Sequence, residues 1–309
     1  MEKLYPKHLI GIEELSKEDI LELVELAKSF KEVLEKPVKS VPTLKGKTVV
    51  NLFFEPSTRT RVSFEVAEKR LGCDVINFSA STSSLNKGES IKDTILNIEA
   101  MKIDAIVVRH SLVDLPRYIS TFNSSAIINA GDGAHEHPTQ ALLDIFTMIE
   151  NLGDLKGKVV LIAGDIKHSR VARSNIYALK KLGAKVRICG PKTLLPEDPY
   201  ILGVDEVYTD MDKAIEGVDV INNLRIQLER QKKGLFPSIK EYNDFFGLTS
   251  ERYERIKGNA LIMHPGPMNR GVEIDSKVAD SKDSVILPQV TNGVAMRMAI
   301  LYKLLGGRG

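Results

Sequence analysis

The side chains best suited to chemistry in this 309-residue sequence begin with a run of hydroxyl and guanidinium groups, Ser57 to Arg61. The run follows an apolar segment and opens a predicted helix, whose N-terminus offers unpaired backbone N–H groups and the positive end of the helix dipole. Both features favour a bound anion. A serine N-cap beside surface arginines would explain a single Ser-Thr pair, but hydroxyls interleaved with arginines favour an anion site. The glycine-rich P-loop pattern that ends in Gly-Lys is missing.

A second polar segment runs from Gly131 through two glycines and two histidines into a predicted helix. His135 and His137 could suggest a metal site, but no third ligand follows at helical spacing, so we predict no metal here. His137 and Gln140 lie about one helical turn apart and can point into a pocket as hydrogen-bonding groups. A structural role is the usual explanation for a single histidine. His137 is a better functional candidate than His135 because it stands at the end of a strand, directly before the helix.

The second half of the chain carries three weaker signals, each at the end of an apolar segment. Arg170 follows Ser169, which caps a predicted helix, and Arg225 precedes Gln227. A guanidinium at such a place can bind a carboxylate through two parallel hydrogen bonds. Each arginine alone fits a solvated loop equally well. In the third signal, residues 264–267 (His-Pro-Gly-Pro), two prolines fix a rigid backbone whose carbonyls can accept hydrogen bonds from a ligand NH2 group.

The polar stretch between Ser81 and Ser90 contains Ser84 and Lys87 and precedes another predicted helix. Taken alone, this stretch is typical of a solvated turn whose last serine caps the helix.

The elements that must position these groups are short apolar strands alternating with amphipathic helices. The first helix has Ser16 as its cap, and Asp19 stands at the acidic position of a capping box. Strand-like segments recur in both halves, with helical patterns between them: 48–54, 105–108, 126–129, 159–162, 185–188, 218–221 and 260–263. Such alternation predicts α/β domains with parallel sheets covered on both faces.

The length fits two domains better than one. We predict two doubly wound parallel-sheet domains, residues 1–140 and 141–291, with the active site in the cleft between them. A long helix over about 138–151 joins the two sheets. The pattern of the last helix, about Asn292 to Leu305, fits packing on either domain, and we assign residues 292–309 to the first.

Composition excludes several classes of function. Hydrophobic residues make up 43% of the chain and charged residues 27%, as in ordinary globular proteins. The 43 basic and 41 acidic residues nearly cancel, so we predict no nucleic-acid or membrane partner. We expect no signal peptide, since the first residues lack its apolar run, and no membrane span. Cys73 and Cys189 match no metal or redox spacing and are predicted to be buried reduced thiols of a cytoplasmic protein.

Together these segments resemble the aspartate/ornithine carbamoyltransferase family, most closely its aspartate branch. The resemblance covers nearly the whole chain, and the motifs follow the family's order: Ser57-Thr-Arg-Thr-Arg61, Lys87-Gly-Glu89, Arg109-His110, His137-Pro-Thr-Gln140, Arg170, Arg225-x-Gln227 and His264-Pro-x-Pro267. Each motif is weak alone, but the ordered set is specific.

The resemblance implies that carbamoyl phosphate is bound by the first domain, with no cofactor and no metal. The residues implied in binding it are Ser57, Thr58, Arg59, Thr60, Arg109, His137, Gln140, Pro265 and Gly266. Thr60, Arg109 and His137 would polarise the carbonyl oxygen and, with Arg59, form the catalytic group. Relatives often have leucine where this chain has Gly266, so the last contact is expected through the main chain.

Aspartate would be bound by Lys87, Arg170, Arg225 and Gln227. In this family the loop carrying Ser84 and Lys87 enters the site of a neighbouring subunit, which implies a homotrimer with shared active sites. Ser83 is the alternative to Ser84. A higher assembly with regulatory chains or with dihydroorotase stays open.

The expected reaction is transfer of the carbamoyl group of carbamoyl phosphate to the amine of L-aspartate, giving N-carbamoyl-L-aspartate and phosphate in de novo pyrimidine biosynthesis. Aspartate is favoured over ornithine because Lys87, Arg170 and Arg225 suit two carboxylates and would repel a second ammonium group. Ornithine enzymes also resemble a His-Cys-Leu-Pro pattern where this chain has His-Pro-Gly-Pro. Ornithine, or another amine, remains the alternative acceptor.

Two other classes share parts of this pattern. A Rossmann dehydrogenase would have the same alternation of strands and helices, but no Gly-x-Gly-x-x-Gly follows a strand. A non-catalytic ligand sensor on the same fold would keep the anion motif and lose the arginines for the second substrate. Both arginines are present, which favours an enzyme.

Overall fold

A computed structural model describes residues 5–79, 90–226 and 238–306. The chain divides into two compact units, one of Met1–Phe146 with Thr291–Gly309 and one of Thr147–Val290. The helices are α1 (Lys17–Glu35), α2 (Thr58–Arg70), α3 (Ile91–Ala100), α4 (Leu115–Ser120), α5 (Pro138–Leu152), α6 (Arg170–Lys181), α7 (Met211–Ala214), α8 (Ile239–Phe246), α9 (Ser250–Ile256), α10 (Ser276–Ala279) and α11 (Ile286–Leu305). The strands are β1 (Thr48–Phe53), β2 (Asp74–Ser79), β3 (Ala105–His110), β4 (Ala126–Asp132), β5 (Val159–Ala163), β6 (Lys185–Cys189), β7 (Glu206–Tyr208), β8 (Val220–Asn223) and β9 (Leu261–Met263).

The first unit contains a four-stranded parallel sheet in the order β2-β1-β3-β4. Strands β1, β3 and β4 are almost wholly buried along their length, as expected for parallel strands that are covered on both faces. Ile106 and Ile127 anchor one hydrophobic cluster beside the sheet, together with Ile95 of α3 and Ile119 of α4.

The second unit contains a five-stranded parallel sheet in the order β7-β6-β5-β8-β9. Leu161, Ile221 and Ile262, from three adjacent strands, belong to one core cluster. Two all-parallel α/β sheets confirm the predicted fold class.

Local sequence signals explain where the helices begin and end. Ser16 and Asp19 form the predicted capping box, in which the Ser16 side chain accepts the Asp19 N–H and the Asp19 carboxylate accepts the Ser16 N–H. The predicted start of the last helix near Asn292 was wrong, because α11 begins at Ile286. Pro288 lies in its first turn, where proline is tolerated because those N–H groups have no partner within the helix.

The predicted state of the two cysteines is confirmed, since Cys73 and Cys189 are free and buried. No helix in the described part of the chain is long and apolar enough to cross a membrane.

Candidate active site

The hydroxyl and guanidinium run lies at the junction of β1 and α2. Ser57 is the N-cap residue, yet its side chain makes no capping hydrogen bond. Thr58 and Arg59 are exposed in the first turn of the helix, whereas Thr60 is 9% exposed. Neighbouring protein atoms still remove part of the water around the Arg59 guanidinium, and this desolvation lowers its pKa, but a guanidinium stays protonated at neutral pH. The hydroxyl groups and the Arg59 guanidinium therefore lie beside the first backbone N–H groups of the helix, which have no carbonyl partner within the helix.

Arg109 lies next to this run because β1 and β3 are paired in register, with Phe53 opposite Arg109. Its Nη1 donates to the Ala130 carbonyl at 3.1 Å, and its Nε lies 3.4 Å from a carboxylate oxygen of Glu55. The strand pairing and the Ala130 carbonyl thus hold the guanidinium at the carboxyl end of the sheet. Glu55, which the sequence analysis did not select, provides its countercharge.

His137 is buried and directly precedes α5, where its carbonyl accepts the N–H of Gln140 at 3.0 Å. Gln140 is also largely buried, and its Nε2 donates to Oδ1 of Asp144 at 2.9 Å. This donation leaves the amide oxygen as the end of the Gln140 side chain that can accept a hydrogen bond from a ligand NH2 group. Asp144 is fully buried and attracts the buried guanidinium of Arg297, whose pKa is lowered by burial to about 10.

The loop between β4 and α5 is organised by the buried carboxylate of Asp132. One oxygen accepts the Asn129 side-chain amide at 2.9 Å and the Glu136 N–H at 3.0 Å. The other accepts the Asp114 N–H at 2.7 Å and lies 3.0 Å from Nδ1 of His135. Burial by itself raises the pKa of Asp132, but the hydrogen bonds from His135 and Asn129 bring it below its ordinary value. His135 thus belongs to the support of the loop, and the pairing with Asp132 raises its pKa.

Two groups of potential metal ligands occur among the described residues, and both include His135: Glu13, His135 and Glu136, and Asp114, Asp132 and His135. The Glu136 oxygens accept the N–H groups of Ile12 and Glu13 at 2.9 and 3.1 Å, and the Asp132 oxygens are engaged as described above. The carboxylates of Asp132 and Glu136 are therefore already engaged by backbone N–H groups.

The three signals of the first unit share one edge of its sheet. The hydroxyl run follows β1, Arg109 ends β3 and His137 follows β4, and these three strands are neighbours in the order β1-β3-β4. Because the strands are parallel, their carboxyl ends lie at the same edge, which is the usual ligand-binding edge of such sheets. The sheet topology thus brings together hydroxyls, two guanidiniums and one imidazole.

The second unit repeats this arrangement with different groups. Arg170 is the first residue of α6, after β5, and Ser169 caps that helix by accepting the Ala172 N–H. Arg225 follows β8 and the turn at 264–267 follows β9, so the three signals again leave neighbouring strands, in the order β5-β8-β9. Both arginine side chains are partly buried. They place two positive charges at the carboxyl edge of the second sheet.

The turn after β9 has a fixed backbone. Gly266 has a φ of 65°, a conformation that glycine adopts without strain and leucine does not. Its N–H donates to Nδ1 of His264 at 2.8 Å. A direct contact between this turn and a ligand would therefore use the carbonyls of Pro265 and Gly266, as the sequence suggested.

Three predicted site residues, Ser84, Lys87 and Gln227, lie outside the described residues. Asp144 was not predicted from the sequence, although its place four residues after Gln140 on one helix face was a usable signal.

The comparisons with protein families agree along the chain. Residues 7–150 match the carbamoyl-phosphate-binding domain of aspartate/ornithine carbamoyltransferases. Residues 156–304 match the aspartate/ornithine-binding domain of the same family.

Individual proteins give the same result. The chain is 56% identical over 300 residues to the aspartate carbamoyltransferase catalytic subunit of Halothermothrix orenii, covering 97% of this chain and 96% of the relative. Among solved structures, it resembles aspartate transcarbamoylase from Trypanosoma cruzi in complex with carbamoyl phosphate and aspartate, with a TM-score of 0.87, 30% identity and 98% of each chain covered. Ornithine carbamoyltransferase from Pyrococcus furiosus has a TM-score of 0.87, 30% identity and 100% of each chain covered. The chain belongs to the aspartate/ornithine carbamoyltransferase family.

Proposed function

We propose that this protein is an aspartate carbamoyltransferase, which transfers the carbamoyl group of carbamoyl phosphate to L-aspartate. The observation that carries the proposal is the shared carboxyl edge of β1, β3 and β4, with anion-binding hydroxyls, Arg59, Arg109 and His137. Membership of the family narrows the reaction to carbamoyl transfer. The relatives above 50% identity, named as aspartate carbamoyltransferase catalytic subunits, favour aspartate as the acceptor.

In this proposal the phosphate group binds at the N-terminus of α2. The backbone N–H groups of the first turn and the hydroxyls of Ser57, Thr58 and Thr60 donate to its oxygens, and Arg59 neutralises its charge. Helix-terminal N–H groups are fixed by the fold, so they need no reorganisation when the anion enters.

The carbamoyl group is oriented by donors and acceptors at opposite ends. Thr60, Arg109 and His137 donate to its carbonyl oxygen. The Gln140 amide oxygen accepts from its NH2 group, because the amide nitrogen already donates to Asp144. The carbonyls of Pro265 and Gly266 accept from the same NH2 group.

The reaction then proceeds by attack of the aspartate amine on the carbonyl carbon. A C–N bond forms, and the carbonyl π electrons move onto the oxygen. The negative charge on this oxygen is stabilised by hydrogen bonds from Thr60, Arg109 and His137. The electron pair on the oxygen then re-forms the C=O bond as the C–O bond to phosphate breaks. The electron pair of that C–O bond leaves with the phosphate, which also accepts the proton lost by the amine. Donors aimed at the developing oxyanion stabilise the transition state more than the ground state. The rest of the acceleration comes from holding amine and carbonyl in line.

Selectivity for aspartate follows from charge. Arg170 and Arg225, with Lys87 and Gln227, form the proposed site for two carboxylates, and paired guanidinium–carboxylate contacts fix their orientation. The same charges would oppose the second ammonium group of ornithine.

We further propose that the transfer needs no resident metal, since Arg59 and Arg109 provide the positive charge for the phosphate and the oxyanion. We infer a homotrimer in which Ser84 and Lys87 of one subunit serve the site of another, as expected for the family. A cytoplasmic location in pyrimidine biosynthesis fits the two free, buried thiols.

The proposed function is tested with purified protein and carbon-13-labelled carbamoyl phosphate. Labelled N-carbamoyl-aspartate, identified by mass spectrometry only when protein and aspartate are both present, is the expected product. Release of phosphate without any labelled carbamoyl-aspartate would contradict carbamoyl transfer to aspartate.

A further inference from the structure

Behind the turn at 264–267 lies a buried hydrogen-bond network whose side chains do not contact the substrates in the proposed chemistry. The side chains of His264 and Glu273 are 0% and 2% exposed, and His264 Nε2 lies 3.0 Å from Oε1 of Glu273. Both residues are in the second unit. Burying a carboxylate is costly unless several donors serve it, so the network is expected to have a specific purpose.

The geometry fixes the protonation of His264. Its Nδ1 accepts the Gly266 N–H at 2.8 Å and so carries no proton. The neutral ring must then carry its proton on Nε2, which donates to Glu273. The backbone N–H of His264 donates to the side-chain oxygen of Gln289 at 2.9 Å. The imidazole therefore links the backbone of the turn to a buried carboxylate, accepting a hydrogen bond at Nδ1 and donating one at Nε2.

Glu273 has a second connection, through Asn269. One carboxylate oxygen accepts the Asn269 N–H at 2.5 Å, and the other lies 3.2 Å from the Asn269 side-chain nitrogen. The same nitrogen donates to the Ile226 carbonyl at 2.8 Å. Ile226 is buried and directly follows Arg225. One carboxylate thus connects the turn after β9 with the segment after β8.

We propose that Glu273 is a positioning residue that holds both substrate-binding segments of the second unit in register. Through His264 it fixes the Pro265–Gly266 carbonyls that accept the carbamoyl NH2 group. Through Asn269 it fixes the backbone beside Arg225, which binds a carboxylate of aspartate. The inference rests on the proposed function, because it assigns a task to Glu273 in that same reaction.

Two variants separate the two connections. Glu273→Gln keeps the shape of the side chain. The carboxylate serves His264 and the Asn269 N–H at one oxygen and the Asn269 side chain at the other, whereas an amide can accept at one end only, so at least one of these contacts is lost. Asn269→Ala keeps the backbone N–H donated to Glu273 and removes the side-chain nitrogen, which contacts the Ile226 carbonyl and the second Glu273 oxygen, so the link to the segment after β8 is lost. Asp275→Asn is the matched control, because the Asp275 carboxylate accepts the Ser250 N–H at 2.8 Å in the same unit and serves no binding segment.

Steady-state kinetics and thermal unfolding are measured for the intact assembly of each variant. We expect Glu273→Gln to lower kcat and raise the KM for aspartate, with kcat/KM falling by at least about tenfold, because small displacements of binding groups are costly to the rate. Asn269→Ala should raise the KM for aspartate and leave kcat within about twofold. Asp275→Asn should keep kcat and the KM for aspartate of the unmodified protein, even if its unfolding temperature falls as far as that of Glu273→Gln.

Each other result overturns the inference. Unchanged kinetics in Glu273→Gln, or an unchanged KM in Asn269→Ala, would show that the network does not position the binding segments. Equal losses in Glu273→Gln and Asp275→Asn would reduce Glu273 to a contributor to stability. If Glu273→Gln fails to fold, the KM for aspartate of Asn269→Ala alone tests the inference: a raised value supports it and an unchanged value overturns it. Failure of the unmodified protein to form carbamoyl-aspartate would instead contradict the proposed function.

Discussion

Replacing Glu68 by glutamine is expected to stabilise the protein, and increasingly so as the pH rises. Glu68 lies on α2, fully buried, and one of its oxygens accepts the Asn51 side-chain amide at 2.8 Å. Among the described residues its other oxygen has no hydrogen-bond partner. Burial raises the pKa of Glu68 from 4.5 to about 8, so the folded protein holds this carboxyl in its neutral form at neutral pH.

The sign and size follow from proton linkage. Below pH 4.5 the group is protonated in both states and has no effect. Between that value and pH 8 the unfolded chain releases a proton that the folded chain retains, so the free energy of unfolding falls as the pH rises. At 1.36 kcal/mol per pKa unit, the shift sets an upper bound of roughly 5 kcal/mol above pH 8. Because proteins relax around buried charges, we expect about 2 kcal/mol or more.

Urea unfolding of both proteins at pH 5, 7 and 9, at one fixed protein concentration, measures this difference. Glu68→Gln should match the unmodified protein near pH 5 and exceed it progressively at pH 7 and 9. Glu65→Gln is the matched control on the same helix, since the hydrogen bond from Lys69 lowers the pKa of Glu65. That control should lose a little stability at neutral and higher pH. A stability difference for Glu68→Gln that does not change with pH would refute the reasoning.

The remaining predictions concern the site. Arg59→Ala should lower kcat at least about a hundredfold, because one lost transition-state contact removes roughly 3–4 kcal/mol; Arg61→Ala is its control, and a near-normal kcat at saturating carbamoyl phosphate would contradict the assignment. Arg225→Ala should weaken aspartate binding far more than carbamoyl phosphate binding in calorimetry, and equal weakening of both would count against it. Mixed trimers of Lys87→Gln and Arg59→Ala chains should regain activity that neither parent has, because some sites would combine two intact contributions; verified mixtures that stay inactive would exclude shared sites. Dialysis against a chelator should leave kcat unchanged, and its loss with recovery on adding metal would contradict metal independence.

Strands with continuous apolar character were predictable, whereas two edge strands of mixed polar and apolar character were not. The runs at 105–108 and 159–162 lie in β3 and β5, both central in their sheets, where burial on both faces demands apolar residues. Strands β2 and β7 were missed. Both are at a sheet edge, and their sequences, Asp74–Ser79 and Glu206–Tyr208, mix polar and apolar residues.

The places of the candidate site residues in the fold were predictable where these residues follow strands directly. The hydroxyl run, Arg109 and His137 each stand at a strand end, so the topology of a parallel sheet brings them to one edge. The residues that support the site from behind, such as Glu273, were not predictable from the sequence. Glu273 is nine positions after His264, a spacing that no regular element produces, and the pairing arises only from the path of the loop.

The central claim is that aspartate is the acceptor, and a one-pot competition tests it most directly. Equal concentrations of aspartate and ornithine are incubated with the protein and labelled carbamoyl phosphate, and both carbamoylated products are quantified by mass spectrometry. The ratio of the products gives the ratio of the two kcat/KM values. Because two arginines and a lysine suit carboxylates and oppose a second ammonium group, carbamoyl-aspartate should exceed citrulline by at least about a hundredfold. Citrulline equal to or above carbamoyl-aspartate would contradict the account.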